Sequence, residues 1–269
     1  MRSEKKKAIL VVSFGTSHKE TREKTLDAIE RRIAEEFPDW DVRKAYTSKM
    51  IIRILRKRDN LKVDYITEAL QRLVDEGFKK VMVLPTHIIN GYEFEDVRMI
   101  SDGFRNRFDT LKIGGAMFSS VNDYETVINA IDEIYMKRYF GDDPKGKALV
   151  MMGHGSDHIA NACYSELQMR MRRKGIADVY VTTVEGFPSV DYTIEKIQEG
   201  DYSKVCLVPF LIVAGDHAKN DMAGYDDNSL KTRFTMLGYE VECILEGLGE
   251  HKPFQDIFLN HLRDMIDDE

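Results

Sequence analysis

The spacing of apolar positions divides the chain into two alternating textures. Short, almost unbroken apolar runs, AILVVSF at 8–14 and VMVLP at 81–85, read as buried strands, because a strand covered on both faces needs no polar alternation. Between them the apolar residues of TLDAIERRIAEEF and DYITEALQRLVDEGF recur every three or four positions, the one-sided pattern of a surface helix. The second half repeats the alternation: ALVMMG, DVYVTTV and KVCLVPFLIV read as strands, CYSELQMRMRRKG and YTIEKIQEG as helices, and QDIFLNHLRDMIDD as a closing helix. A further helical stretch, NDYETVINAIDEIYMKRYF, and the turn-rich GDDPKGK lie between the halves. The pattern predicts an α/β fold of two similar halves, each a parallel sheet flanked by helices, with an interdomain cleft between them. The expected division is an N-terminal half, 1–140, and a C-terminal half, 141–269, that ends in the closing helix.

Composition narrows this picture. With 269 residues, 43% of them hydrophobic, the chain can bury a core in two domains of ordinary size. A net charge of -7 and 32% charged residues argue against nucleic acid as a partner, and no apolar run is long enough for a membrane span. The basic start MRSEKKK precedes only a short apolar run with no cleavage site, so it reads as the approach to a first strand rather than a signal peptide. Cys163, Cys206 and Cys243 are far apart and form no CxxC pair; Cys206, within VCLVPF, reads as a core residue, and a cytoplasmic, reducing location is expected.

An internal repeat carries the most information. KAILVVSFGTSH (7–18) lies over KALVMMGHGSDH (147–158) without a gap at an offset of 140, and KVMVLPTHIINGYEFED (80–96) lies over KVCLVPFLIVAGDHAKN (204–220) at an offset of 124. Lysines, glycines and a proline coincide, and apolar residues face apolar ones. Two matches in the same order predict equivalent strands and strand-end loops, and the cleft between such halves is the default ligand site. The differences fall in the loops: Phe14 is replaced by His154, and Glu93 by His217. If those loops converge, His154 and His217 approach one another, with Glu93 of NGYEFED and Glu185 of TTVEGFP as carboxylates for the same space. Imidazoles and carboxylates suit a first-row divalent metal, and an incomplete protein ligand set leaves room for exchange.

Blander readings stand beside these. Glu185 also reads as a solvated loop carboxylate, and Glu93 as part of a loop or helix start. His158, four residues after His154, forms an HxxxH spacing, but Gly155 and Ser156 point to a turn rather than one helical face. His18 and His87 read as loop or pocket-wall residues, and His251 and His261 as exposed. GDDPKGKA fits the glycine and lysine spacing of a phosphate loop, yet it precedes a strand and has Ala148 where a hydroxyl should hold magnesium, so that reading is rejected. FGTSHKE follows a strand and opens a helix, with Thr16 and Ser17 as capping residues and free N–H groups that could receive an anion. GxSxG, CxxC and GxGxxG are absent, which removes the usual prompts for hydrolase, thiol-redox and dinucleotide chemistry.

VVSFGTS, TSKMIIRILRKRD, HIINGYEFE, MGHGSDH, VEGFP, PFLIVAGDHAKNDMAG and GLGE occur in an order that resembles the anaerobic cobaltochelatases, class II chelatases related to ferrochelatase that insert cobalt into sirohydrochlorin. The resemblance runs from about Ala8 to the end of the chain; AGDHAKNDM and MGHGS together make it specific. It implies two flavodoxin-like (Rossmann-like) halves around a tetrapyrrole cleft, Co2+ as substrate metal, no nucleotide or organic cofactor, and a role in anaerobic cobalamin synthesis. It also implies that His154 and His217 face the metal, with Glu185 and Glu93 completing the site. The expected metal ligands are then His154, Glu185 and His217, and the expected catalytic residues His154 and Glu93. Asp157 in MGHGSDH sits where a changed contact to the macrocycle edge is expected without loss of the site.

Metal insertion requires Co2+ to shed water and two pyrrolic protons to leave. Imidazole exchanges protons near neutral pH, which makes His154 the expected general base, with Glu93 assisting as ligand or proton acceptor. One lone pair cannot serve metal and proton together, so the two tasks are successive or divided. Arg53, Arg56 and Lys57, or helix amino termini after Ser13 and Ser156, are candidate contacts for substrate carboxylates. The rivals are insertion of iron or nickel, a non-catalytic tetrapyrrole or metal carrier, and a small-molecule binding protein with incidental histidines. The expected partners are therefore sirohydrochlorin or precorrin-2 and a divalent metal, with neither nucleic acid nor membrane, and a homo-oligomer is left open.

Overall fold

The structure is a computed structural model that describes residues 6–141 and 145–267. Residues 142–144 of the GDDPKGKA segment lie outside the described residues. The strands are β1 (Lys7–Ser13), β2 (Asp41–Tyr46), β3 (Asp64–Tyr65), β4 (Lys80–Pro85), β5 (Thr110–Ile113), β6 (Lys147–Gly153), β7 (Val179–Thr183), β8 (Lys204–Pro209) and β9 (Glu240–Cys243). The α-helices are α1 (Lys19–Lys24), α2 (Leu26–Glu36), α3 (Lys49–Arg58), α4 (Ile66–Asp75), α5 (Tyr92–Asp102), α6 (Val121–Ile131), α7 (Ala162–Arg173), α8 (Val190–Gln198), α9 (Leu230–Met236) and α10 (Lys252–Asp267). The chain divides into two compact units, Met1–Ser119 with Gln255–Glu269, and Ser120–Phe254.

In the first unit a parallel sheet runs in the order β3-β2-β1-β4-β5, and in the second the order is β7-β6-β8-β9. Leaving aside the two-residue edge strand β3, the sheets have the same order, with the first strand of each unit between its second and third neighbours. The central pairs have equivalent registers, Lys7 with Lys80 and Val12 with Pro85 in the first unit, Lys147 with Lys204 and Met152 with Pro209 in the second, so residues that coincide in the sequence repeat occupy matching sheet positions. β1 and β6 are buried from their second residue onward, which is why both are apolar without alternation. Residues of alternating register, such as Leu10 and Val12 with Val81 and Val83, or Val150 and Met152 with Val205 and Leu207, form one core face in each unit.

Several elements differ from the sequence reading. KVCLVPFLIV keeps strand geometry only to Pro209; Phe210 still donates its N–H to Met152 O, and the chain then leaves the sheet. The helix 121–131 continues as a π-helical stretch, Asp132–Phe140, and groups with the second unit, whereas the sequence division placed it before 141. Side chains explain the grouping: the Arg170 guanidinium lies 4.9 Å over the Tyr124 ring, and Lys174 pairs with Glu125. From Gln255 onward α10 belongs to the first unit, tied by Arg32 to Asp256, by Arg263 to Glu36 and by the Lys112 ammonium to Met265 O. Among the described residues, no helix is long and apolar enough to cross a membrane. Cys206 is buried, and burial pushes its thiol up to about 12.

Candidate functional site

In an open parallel sheet, ligands bind beyond the carboxyl ends of the strands where the strand order reverses. In the second unit that point lies between β6 and β8. His154 is the first residue after β6, Glu185 follows β7 by two residues, and His217 stands beyond β8. The rings of His154 and His217 meet edge to face, with centroids 4.6 Å apart and planes at 87°. The sequence reading sought this approach in the facing of two halves, but adjacent strands of one sheet suffice to bring the pair together.

The two glycines around His154 now have a physical role. A Cβ on Gly153 would lie 2.6 Å from Cε1 of the buried Tyr164 ring. Gly155 has φ +78°, and a Cβ there would lie 2.7 Å from Cβ of Thr183 and 2.8 Å from the Gly186 nitrogen. The chain therefore turns sharply against the neighbouring loop and leaves the imidazole on the outside. That loop is tied to it: Val184 N–H donates to Gly153 O (3.2 Å) and Glu185 N–H to His154 O (2.9 Å). Asn161, only 9% exposed, braces both loops by accepting from Ser156 N–H at 3.0 Å and donating to Phe187 O at 2.7 Å. The loop after β8 is pinned by Leu248 N–H to Leu211 O and Gly249 N–H to Ile212 O, both bonds contributed by GLGE.

Hydrogen bonds orient the imidazoles. His154 Nδ1 lies 3.0 Å from Gly155 O, an acceptor, so Nδ1 carries the hydrogen and Nε2 the lone pair. His217 Nδ1 lies 2.6 Å from Oδ2 of Asp221, a carboxylate four residues on, within the π-helical turn Ala218–Met222. That bond likewise leaves Nε2 of His217 with the unshared lone pair. Glu185 Oε2 is 3.9 Å from His154 Nδ1, on the hydrogen-bearing side rather than the Nε2 side. Accordingly, among the described residues no group of three or more His, Cys, Asp or Glu stands arranged to hold a metal. The side chains of His154, Glu185 and His217 are 46%, 61% and 40% exposed, so all three are open to solvent.

The remaining predicted residues fall elsewhere. Glu93 belongs to the first unit, where it is exposed in the first turn of α5 at the strand-end side, a favourable place for a carboxylate. His158 caps the turn Ile159–Asn161, its Nδ1 accepting Ala160 N–H. At α1 the expected cap does not form: His18 holds the cap position without a side-chain capping bond, and Thr16 Oγ1 accepts its N–H at 3.2 Å. His251, expected at the surface, is 14% exposed and packs against Tyr135 with centroids 5.7 Å apart, and Nδ1 of His261 is buried. His87 is the extreme case: both ring nitrogens are buried, and desolvation lowers its pKa to about 4. The sequence reading missed Asn161 and Asp221; only Asp221 left a trace, its four-residue spacing from His217.

Known proteins share this architecture and sequence. The cobalt chelatase (CbiK) family matches residues 7–267. The chain is 39% identical over 261 residues to the sirohydrochlorin cobaltochelatase of Salmonella typhimurium, covering 97% of each chain. It is 32% identical over 259 residues to sirohydrochlorin cobaltochelatase CbiKC of Nitratidesulfovibrio vulgaris, covering 96% of this chain and 89% of that one. The fold is also that of the sirohydrochlorin chelatase SirB from Bacillus subtilis subspecies spizizenii, solved in complex with cobalt, with a TM-score of 0.64, 14% identity and coverage of 98% and 96%.

Proposed function

Because the chain belongs to the cobalt chelatase (CbiK) family, we propose that it is a sirohydrochlorin cobaltochelatase, a lyase-type chelatase that inserts Co2+ into sirohydrochlorin on the anaerobic route to cobalamin. The observation that carries this reading is the His154–His217 pair, 4.6 Å between centroids, with both Nδ1 atoms occupied and both Nε2 lone pairs left for a cation. Co2+ is a substrate here, so a site that holds it briefly serves better than a closed cage. His154 and His217 bind the ion through Nε2, and Glu185 turns from the Nδ1 side of His154 to complete three protein ligands, leaving positions for water and then for pyrrole nitrogens.

Two pyrrolic protons must leave as the four ring nitrogens replace water and protein ligands on the ion. His154 accepts one once its lone pair is released from the metal, which makes holding and deprotonation successive at that ring. Glu93, exposed at the strand-end side of the first unit, is the second proton acceptor. No nucleotide enters this scheme, since ligand exchange on a divalent ion needs no phosphoryl transfer, and the proposed setting is the cytoplasm.

The test follows the visible spectrum of sirohydrochlorin with Co2+ under anaerobic conditions, with wild type, His154→Ala and His217→Ala. Multiple turnovers by wild type that are lost in both variants are expected. Wild type that fails to accelerate insertion of Co2+ overturns the cobalt assignment: turnover with Fe2+ or Ni2+ instead makes it a chelatase for that metal, and tight binding without turnover makes it a carrier.

A further inference from the structure

Helix α3 carries an unusual surface. Its sequence, KMIIRILRKR, holds five cations and no acid, in a chain whose net charge is -7. Ile51 and Leu55 are buried, and the opposite face presents Met50, Arg53, Arg56 and Lys57, spaced three and four residues apart and all exposed. Several other cations of the first unit are answered by carboxylates: Arg43 by Asp41 and Glu76, Lys44 by Asp27 and Glu30, Arg72 by Asp64, Arg105 by Asp102. Even Arg58, at the end of the same helix, pairs with Asp59. Among the described residues, Arg53, Arg56 and Lys57 have no ion pair and no hydrogen bond to their side chains.

The place of this face matters as much as its charge. α3 follows β2 at the carboxyl edge of the first sheet. Its cap residue Ser48 donates N–H to Phe14 O, which brings the β1 loop against the start of the helix. Phe14 and Met50 are exposed to 49% and 62%, large apolar side chains left in water at the start of the helix that carries the cations. The rim thus offers apolar surface followed by unanswered positive charge. A flat macrocycle fringed with carboxylates has the complementary order, apolar ring inside and anionic groups outside.

We infer that Arg53, Arg56 and Lys57 on α3 recognise the side-chain carboxylates of the tetrapyrrole substrate, and that they make the enzyme prefer carboxylate-rich rings over rings with few acids. This rests on the chelatase reading and adds a residue-level basis for its substrate choice. Long-range attraction from three uncompensated cations also offsets the repulsion between an anionic substrate and an acidic protein.

The test replaces all three with glutamine (Arg53→Gln, Arg56→Gln, Lys57→Gln) in the full chain. Exposed helix positions tolerate the change, and circular dichroism confirms folding. Sirohydrochlorin binding without metal is followed by absorbance, together with KM for sirohydrochlorin and for Co2+ at several NaCl concentrations. Expected are about tenfold weaker sirohydrochlorin binding with a flatter salt dependence, while KM for Co2+ and kcat stay at wild-type values; Arg53→Lys alone binds as wild type does. Equal binding and equal salt dependence in wild type and the triple variant overturn the inference, as does a wild type that binds no sirohydrochlorin. A wild type that shows the binding difference but never turns over refutes the chelatase reading while leaving the carboxylate-binding face in place.

Discussion

Replacing Asn161 tests how the loops that carry His154 and Glu185 are held together. Its side chain is the brace between the His154 loop and the Glu185 loop, and Asn161→Ala removes both bonds, to Ser156 N–H and from the side chain to Phe187 O. Each bond is only part-buried, so water recovers some of the loss, and about 1 kcal/mol per bond gives a cost of about 2 kcal/mol. For a unit of this size that lowers Tm by roughly 7 °C. The loops do not separate, because Glu185 N–H to His154 O and Val184 N–H to Gly153 O survive. What is lost is the fixed distance between a proposed ligand and its partner, and a displaced ligand typically costs 10-fold or more in metal affinity, hence about a tenfold rise in KM for Co2+. Asn161→Asp separates the two bonds: it keeps an acceptor for Ser156 N–H and sets a carboxylate against Phe187 O. It should therefore disturb the Glu185 loop at least as much as alanine does. Urea unfolding and Co2+ titration kinetics read both effects. If Asn161→Ala loses the expected stability while KM for Co2+ stays at the wild-type value, the geometry of these loops does not govern metal handling and the reasoning fails.

Further outcomes follow from the same geometry. Asp221→Ala frees the His217 ring and should raise KM for Co2+ by roughly 10- to 100-fold with little change for sirohydrochlorin, whereas Asp221→Asn keeps an acceptor for Nδ1–H and most of the activity; an unchanged Co2+ KM in the alanine variant refutes the positioning role. Gly155→Ala places a side chain at φ +78° against Thr183 and Gly186 and should cost about 3 kcal/mol in urea unfolding, with a loss under about 1 kcal/mol showing that the turn relaxes freely. For His87 the unfolded imidazole takes up a proton near 6.5 and the folded one only near 4, so the unfolded state binds more protons between these values and stability falls as pH drops through that window, by about 3 kcal/mol in all. His87→Leu, matching Leu211 at the equivalent repeat position, should abolish that acid-side slope in unfolding measured from pH 7 to pH 4; an unaltered slope assigns the loss to other groups.

The sequence by itself determined the sheets and their doubling. Apolar runs such as ALVMMG, alternating with amphipathic stretches, read as buried strands, and the two gapless repeats already implied equivalent strands in the two halves; the register that pairs Lys7 with Lys80 and Lys147 with Lys204 came from the structure. It also placed His154, Glu185 and His217 at strand ends, because an apolar run that stops at glycine or proline marks where a loop begins. Strands with charged faces stayed hidden: DVRKAY forms β2 because Lys44 meets Asp27 and Glu30 from α2, a partnership between distant segments that no local period records. The unit boundary was hidden for the same reason, since α6 and α10 take sides through contacts such as Arg170 over Tyr124 and Arg263 with Glu36. Tertiary structure alone decided which histidines face outward and which nitrogen each presents. A ring's tautomer depends on the acceptor beside it, Gly155 O for His154 and Asp221 for His217, and a histidine's exposure depends on what packs over it, as the burial of His87 and His251 shows. Spacing along the chain carries the strand and its end; the direction of a lone pair exists only after the neighbouring loops have folded against it.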